Sequence, residues 1–258
     1  MIIRKSAHEI ELMARAGEVV AGTLALMQER LEPDISMAEL DRFADEYIHA
    51  RGGVPTSKGY KGYPRAICIS VNDVVVHGIP GRRRVGPGDL VTIDVGVTLD
   101  GSIADSAYTF AVGPVGEEAQ RLLDTCQLAL WAGIEQARVG NRLGDISHAV
   151  QQLVDAAGFS VVRSLVGHGV GRHYHEDPHV PNFGQPGRGP RLAEGMTIAI
   201  EPMITAGASD VLLMNDGWTI RTADGSMSAH FEHTVAITVG GPRILTPRVG
   251  VPSRSVEV

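Results

Sequence analysis

Four of the chain's ten histidines fall in one short run, Gly167-His-Gly-Val-Gly-Arg-His-Tyr-His-Glu-Asp-Pro-His-Val180. Imidazoles this dense suit a divalent metal or a proton transfer, and interleaved glycines let the backbone turn tightly around them. Two known patterns can be read into the run. His175-Glu176-Asp177-Pro178-His179 matches H-E-x-x-H, in which a helix presents two histidines to zinc from one face. Pro178 argues against that helix, because its ring would clash with the carbonyl of Tyr174 at a cost of about 3 kcal/mol or more. Asp177, preceding a proline, is also pushed towards extended geometry. Replacing Glu176 should abolish a zinc peptidase of that kind and spare activity built on other residues. Gly167-His-Gly-Val-Gly171 resembles a phosphate loop only superficially, since no amphipathic helix follows it.

Four acids interrupt apolar, strand-like runs elsewhere. Asp94 lies in Leu90–Thr98, Asp105 in Ser102–Phe110, Glu201 in Met196–Ile204, and Glu232 in Ala229–Val239, amid His230, Phe231 and His233. Burying an unpaired carboxylate is costly, and Asp is depleted in strand interiors, so these positions call for a reason. Asp100-Gly101 is a hairpin signal, and a two-residue loop at 99–100 or 100–101 sets Asp94 and Asp105 opposite or diagonal on one sheet face. Like charges that close need a proton or a cation between them. With His168 the set is four carboxylates and one imidazole. That is too few nitrogens, and no thiolate, for a closed structural zinc site; it suits two divalent ions bridged by carboxylates. Ions roughly 3.5–4 Å apart polarise a carbonyl and bring the pKa of a water between them near 7.

The elements that must position these residues are legible in outline. Ser6-Ala-His-Glu9 is a capping box ahead of Ile10, Met13, Gly17, Val20, Leu24 and Met27, predicting a helix to about Leu31. Ser36-Met-Ala-Glu39 opens a second helix, stopped by Gly52-Gly53. His8 and His49 on these helices read as surface residues. Gly116–Val139 and Leu143–Ala157 are predicted helices; Ala66–Val71, Val74–His77 and Phe159–Val166 are predicted strands. Each half runs helix, helix, His-Gly-aliphatic (His77-Gly-Ile79; His168-Gly-Val170), then a glycine-led strand ending in an acid (Gly88–Asp94; Gly195–Glu201). The expected organisation is one catalytic domain over 1–258, with related halves at about 1–115 and 116–249 and a loose tail at 250–258.

A chain of 258 residues is long enough to bury a substantial core. The net charge of -7 excludes nucleic acid as the main partner, which would want a basic face. Arg82-Arg83-Arg84, after Pro80-Gly81, reads as a solvated loop. The opening MIIRKSAHEIELM is too charged for a signal peptide, and no apolar run approaches membrane-spanning length. Cys68 and Cys126 have no paired spacing and fit a reducing compartment. The expected location is the cytoplasm, without a membrane partner.

Over nearly its whole length the chain resembles the type I methionine aminopeptidases, and more loosely the wider pita-bread metallopeptidases. The motifs that carry the resemblance are Gly59-Tyr-Lys-Gly-Tyr-Pro64, Ser70-Val-Asn-Asp-Val-Val-Val-His-Gly-Ile-Pro80, Ile93-Asp94 with Asp105, Gly167-His-Gly-Val-Gly171, Ile200-Glu-Pro-Met203 and Ser228-Ala-His-Phe-Glu-His-Thr234. The resemblance implies the pita-bread fold: an α/β (α+β) molecule with two pseudo-symmetric halves of antiparallel sheet flanked by helices. It implies two divalent ions (Co, Mn, Fe or Zn), with Asp94 chelating one, His168 and Glu201 the other, and Asp105 and Glu232 bridging both. Glu201 would also shuttle the proton, His175 would donate to the developing oxyanion, and His77 would hold the scissile amide or leaving side. Tyr60, Tyr63, Cys68, Tyr174 and Trp218 match the family's methionine pocket.

The implied activity is hydrolytic removal of the initiator methionine from nascent polypeptides whose second residue is small, by a monomer with a transient ribosome contact. A proline-specific or general aminopeptidase of the same fold, or a non-catalytic relative that binds protein or RNA, are the alternatives; non-catalytic relatives lose ligands, and here all five remain. The short spacing from Glu201 to Glu232 leaves no room for the helical insertion of the type II enzymes. Asp94 lies too early for the extra N-terminal domain of prolidase-like relatives. Three positions depart from the family pattern: His173 where a small residue is more common, Val76 before His77 where some members have cysteine, and Gly96 where some have threonine. His173 near the entrance could take up an adventitious ion.

Overall fold

The computed structural model describes residues 1–248. There are four long helices among the described residues, and the first two form where the sequence caps them. Helix α1 (Ala7–Arg30) and helix α2 (Met37–Ala50) each begin at a complete capping box, Ser6 with Glu9 and Ser36 with Glu39. These reciprocal bonds satisfy backbone donors that a helix N-terminus leaves free. Helix α3 spans Glu117–Gln136 and helix α4 Leu143–Ala156.

All strand pairings are antiparallel. In the N-terminal part the long strand Leu90–Leu99 pairs with Ser102–Ala111 on one side, and with Val54–Pro55 and Cys68–Val71 on the other. Val91, Ile93, Val95 and Val97 bury one face of it under α1 and α2, against Val20, Leu24, Met27 and Leu40. In the C-terminal part a five-stranded sheet runs Gly241–Ile244, His233–Thr238, Thr197–Ile200, Gly167–Gly169, Glu176–Val180. There α3 and α4 pack Leu122, Cys126, Leu130, Ile146 and Val150 against Ile198, Ile200, Val235 and Ile237. Two smaller sheets complete the molecule: Ser228–His230 with Met203–Thr205 and Ser160–Val161, and Val211–Leu213 with Ile220–Thr222 and Val74–Val76.

Two expected strands prove to be four. Met196–Ile204 divides into Thr197–Ile200 and Met203–Thr205, and Ala229–Val239 into Ser228–His230 and His233–Thr238. Both breaks fall at an acid, at Glu201-Pro202 and Phe231-Glu232, where the chain leaves one sheet and enters another. Pro202 has no N–H for a ladder. Its carbonyl accepts instead from Phe231 N–H at 3.3 Å, while Glu232 N–H crosses to the Ala107 carbonyl at 2.9 Å. Phe159–Val166, expected to be extended throughout, is a strand only at Ser160–Val161.

The two sheets that carry acids are sewn together along Ser102–Ala111. Asp105 N–H donates to Thr234 Oγ1 at 2.9 Å, and that hydroxyl donates back to the Asp105 carbonyl at 2.8 Å. Thr109 Oγ1 likewise accepts from His230 N–H and donates to its carbonyl. Among the described residues no helix is long and apolar enough to cross a membrane. The expected tail at 250–258 lies outside the described residues.

Candidate active site

The Leu90–Leu99 and Ser102–Ala111 strands are joined through Asp100-Gly101, and their register sets Gly96 opposite Asp105 and Asp94 opposite Ala107. Of the two loops compatible with the sequence, the structure selects 100–101. The carboxylates are therefore diagonal neighbours on one face. Cys68 is the cross-strand partner of Asp94 on the other side and shares that face. The seam through Thr234 and Glu232 N–H brings Glu232 over Asp105, and Gly167–Gly169 supplies His168 from the five-stranded sheet.

Ligand atoms of Asp105, His168 and Glu232 lie within 4.8 Å of one another, all three buried. His168 Nε2 is 3.5 Å from Glu201 Oε1 and 3.9 Å from Asp105 Oδ2. Its Nδ1 contacts the Gly169 carbonyl at 2.8 Å. A carbonyl can only accept, so the proton is on Nδ1 and the Nε2 lone pair faces the carboxylates, the arrangement that fixes a ligating imidazole. Burial holds His168 down at about 4, so the ring is neutral at physiological pH.

Burial pushes all four carboxylates up, Asp94 to about 7 and Asp105, Glu201 and Glu232 well above their usual range, the last three further raised by their acidic neighbours. Among the described residues no Lys or Arg pairs with any of them; their partners within ion-pair distance are His168 and His230. Asp94 Oδ1 and Glu232 Oε1 are buried and accept no hydrogen bond. Oxygen donors this concentrated, with unused lone pairs and one oriented imidazole, fit hard or borderline divalent cations.

A single cavity of about 620 Å³ contains every residue singled out for chemistry. Asp94, Asp105, His168, Glu201 and Glu232 form one wall, His77 and His175 flank it, and Tyr60, Tyr63, Cys68, Tyr174 and Trp218 line the remainder. Tyr63 donates its hydroxyl to the Gly78 carbonyl at 2.9 Å and sets its ring edge against Trp218, centroids 5.0 Å apart. Trp218 is held by the Asp216 turn, whose carboxylate accepts the N–H groups of Trp218 and Thr219. His175 stacks on Tyr60 at 5.3 Å and lies 4.1 Å from the His168 ring. Loss of water around it, and then the neighbouring His168, hold His175 well below the ordinary imidazole range, leaving a neutral N–H donor. His77 has φ 58°, a left-handed backbone that a non-glycine residue adopts at a cost of order 1–3 kcal/mol and that clusters at functional sites.

The H-E-x-x-H segment is not helical: Glu176–Val180 is a strand, in which His179 pairs with His168. His179 lines the cavity and His173 is exposed at the surface. The three departures have different surroundings. Val76 ends its strand at the cavity wall. A Cβ on Gly96 would lie 2.7 Å from Tyr174 Cζ, so glycine here leaves room for the phenol. The phenol hydroxyl in turn reaches Ser57 at 3.1 Å and Asp105 Oδ1 at 3.5 Å.

One site residue escaped the sequence reading. His230 is 1% exposed, lines the cavity, and has neither ring nitrogen hydrogen-bonded; Nε2 lies 3.7 Å from Glu201 Oε2 and 4.0 Å from Glu232 Oε2. Its two-residue spacing from Glu232 was the available signal, because alternate residues of extended chain share a face. Met203, Leu165 and Ser57 also line the cavity without having been singled out.

Residues 11–239 match the model of metallopeptidase family M24. A protein named methionine aminopeptidase from Clostridium perfringens is 53% identical over 246 residues, 95% of this chain and 99% of that protein. The crystal structure of methionine aminopeptidase from Rickettsia prowazekii superposes with a TM-score of 0.94 at 40% identity, over 96% of this chain and 100% of that one. A prolidase from Pyrococcus furiosus shares the fold, with a TM-score of 0.77 at 21% identity, and this chain covers 66% of it.

Proposed function

The chain belongs to metallopeptidase family M24, and on that footing we propose that it is a metal-dependent aminopeptidase that removes methionine from the N-terminus of polypeptides. The observation that carries the reading is the wall of four carboxylates and His168, with Asp105, Glu232 and His168 buried, continuous with a cavity lined by aromatic rings and a thiol. Membership of the family brings divalent metal use with it. We assign Asp94 to one ion, His168 and Glu201 to a second, and Asp105 and Glu232 to both. When bound, the ions would polarise the scissile carbonyl and acidify the attacking water.

The chain's own residues do the rest. Glu201, a carboxylate whose proton affinity is raised by burial, takes the proton that the attacking water loses and passes it to the leaving amine, a transfer worth about 10²- to 10⁴-fold. His175, neutral and stacked on Tyr60, donates to the oxygen as it gains charge. His77, opposite Trp218 at 6.2 Å, steadies the amide or leaving side. Tyr60, Tyr63, Tyr174 and Trp218 line the space with aromatic rings, and Cys68 with a soft thiol, a setting that suits a thioether. Burial and the adjacent Asp94 keep the Cys68 thiol protonated, so it packs and does not attack.

Selectivity for a small second residue, a cytoplasmic setting, a monomeric state and a transient ribosome contact extend the same proposal, as do Co, Mn, Fe or Zn as the metal and a single domain built of related halves at about 1–115 and 116–249. Release of methionine from Met-Xaa-Ser peptides, Xaa running from Gly to Leu, tests it with each metal in turn. Release that falls as Xaa grows supports the reading. Absence of methionine release with every metal contradicts it.

A further inference from the structure

Glu176, whose place beside His175 produced the misleading zinc motif, has a different use. It opens the Glu176–Val180 strand, and its side chain folds back over the preceding loop. Oε1 accepts the N–H groups of Arg172 at 2.9 Å and His173 at 3.0 Å. Oε2 receives Lys5 Nζ at 2.6 Å, and both side chains are 5% exposed. One backbone bond, Gly171 N–H to the His173 carbonyl at 3.2 Å, runs within the loop; Glu176 supplies the other two.

Lys5 is 171 positions away from Glu176 in sequence, in the segment before α1. Its own N–H donates to the Gly195 carbonyl at 2.6 Å, and its side chain passes over Gly171, where a Cβ would collide with Lys5 Cε and lie 2.8 Å from Nζ. Burial opposes ionisation of Glu176, but Lys5 and the two N–H groups outweigh it and hold the carboxyl below its usual range. A buried ion pair is weak as a source of stability, because desolvation offsets the attraction, whereas removing one partner leaves the other charge buried and uncompensated. The loop it closes carries Tyr174, which reaches Asp105 and Ser57, and His175, which stacks on Tyr60.

We propose that Lys5 and Glu176 are positioning residues for His175: the pair clamps the 171–175 loop so that the imidazole stands at the cavity mouth ready to donate. The proposal rests on the role of His175 given above and goes beyond it, because it places a determinant of turnover in the segment ahead of the first helix.

A double-mutant cycle on the full chain, loaded with Mn²⁺ and assayed on Met-Gly-Ser, tests it. Lys5→Met should lower kcat about ten- to a hundredfold with KM within about threefold of the parent, the pattern of a lost transition-state interaction. Lys5→Arg should return kcat to within about threefold, since it restores the charge-assisted hydrogen bond. In a His175→Ala background Lys5→Met should change kcat less than about twofold, because residues acting through one group are not additive.

An unchanged kcat in Lys5→Met, a loss confined to KM, or a loss that multiplies fully onto His175→Ala overturns the proposal. If Lys5→Met does not fold, Glu176→Gln carries the same cycle and should lower kcat in part, where the sequence alone predicts that activity built on other residues is spared; if neither folds, the pair belongs to stability and the proposal fails. An unimpaired His175→Ala removes instead the role of His175 on which it stands.

Discussion

At the scale of single residues, Asp94 and its acidic neighbours set the pH at which the centre can fill. Asp94 stays protonated up to about 7 in the metal-free protein, and a carboxyl must lose its proton to bind a cation. His168, at about 4, is already neutral and does not compete in that range. Asp105, Glu201 and Glu232 are raised as well, so metal affinity rises with pH as these carboxyls give up their protons and is lost as pH falls. Calorimetric titration with Mn²⁺ should show about a tenfold or greater rise in affinity between pH 5.5 and 7.5; a flat profile contradicts the assignment. Glu201→Gln should lower kcat by about 10²- to 10⁴-fold if Glu201 carries the proton. Gly96→Ala must push the buried Tyr174 aside, so KM for methionyl peptides should rise and chemical denaturation should show a loss of about 1–3 kcal/mol.

The acids were legible because a carboxylate in an apolar strand is an anomaly. His230 was not, because a histidine among His230, Phe231 and His233 reads as one more strand residue until the strand is seen to end there. The fit of Gly96 to Tyr174 is a contact between residues far apart in sequence, which spacing cannot show.

At the scale of elements, the centre depends on a seam between sheets. Thr234 is fully buried, and its hydroxyl exchanges two hydrogen bonds with the Asp105 backbone. Thr234→Val keeps the shape and leaves a buried N–H and carbonyl without that partner, which should destabilise by about 1–3 kcal/mol. Chemical denaturation measures it, and loss of less than a few tenths would show the seam to be unimportant. The capping boxes of α1 and α2 could be read from four residues each, since all their partners are local. The strand breaks at Glu201-Pro202 and Phe231-Glu232 could not, because they arise where the chain changes sheets. The apolar runs continue through both breaks, so periodicity predicts one strand in each case.

At the scale of the whole molecule, the helices and strand-like runs were foreseeable from the sequence, the antiparallel pita-bread architecture was expected only through the family resemblance, and it agrees with the structural relatives. What the order of motifs could not convey is convergence. The Leu90–Leu99 and Ser102–Ala111 strands bring Asp94 and Asp105, the five-stranded sheet brings His168, and the chain segments between sheets bring Glu201 and Glu232, all to one cavity. The molecule as a whole thus gathers four carboxylates and an imidazole on one wall of a cavity whose remainder is lined by Tyr60, Tyr63, Cys68, Tyr174 and Trp218.

The most direct test of that account is methionine release from Met-Gly-Ser by the chain before and after exhaustive chelation, with Mn²⁺, Co²⁺ or Fe²⁺ then restored. The account predicts release that stops on chelation, returns with metal, and does not return in Glu201→Ala. Release that persists after chelation, or that Glu201→Ala leaves intact, would contradict it.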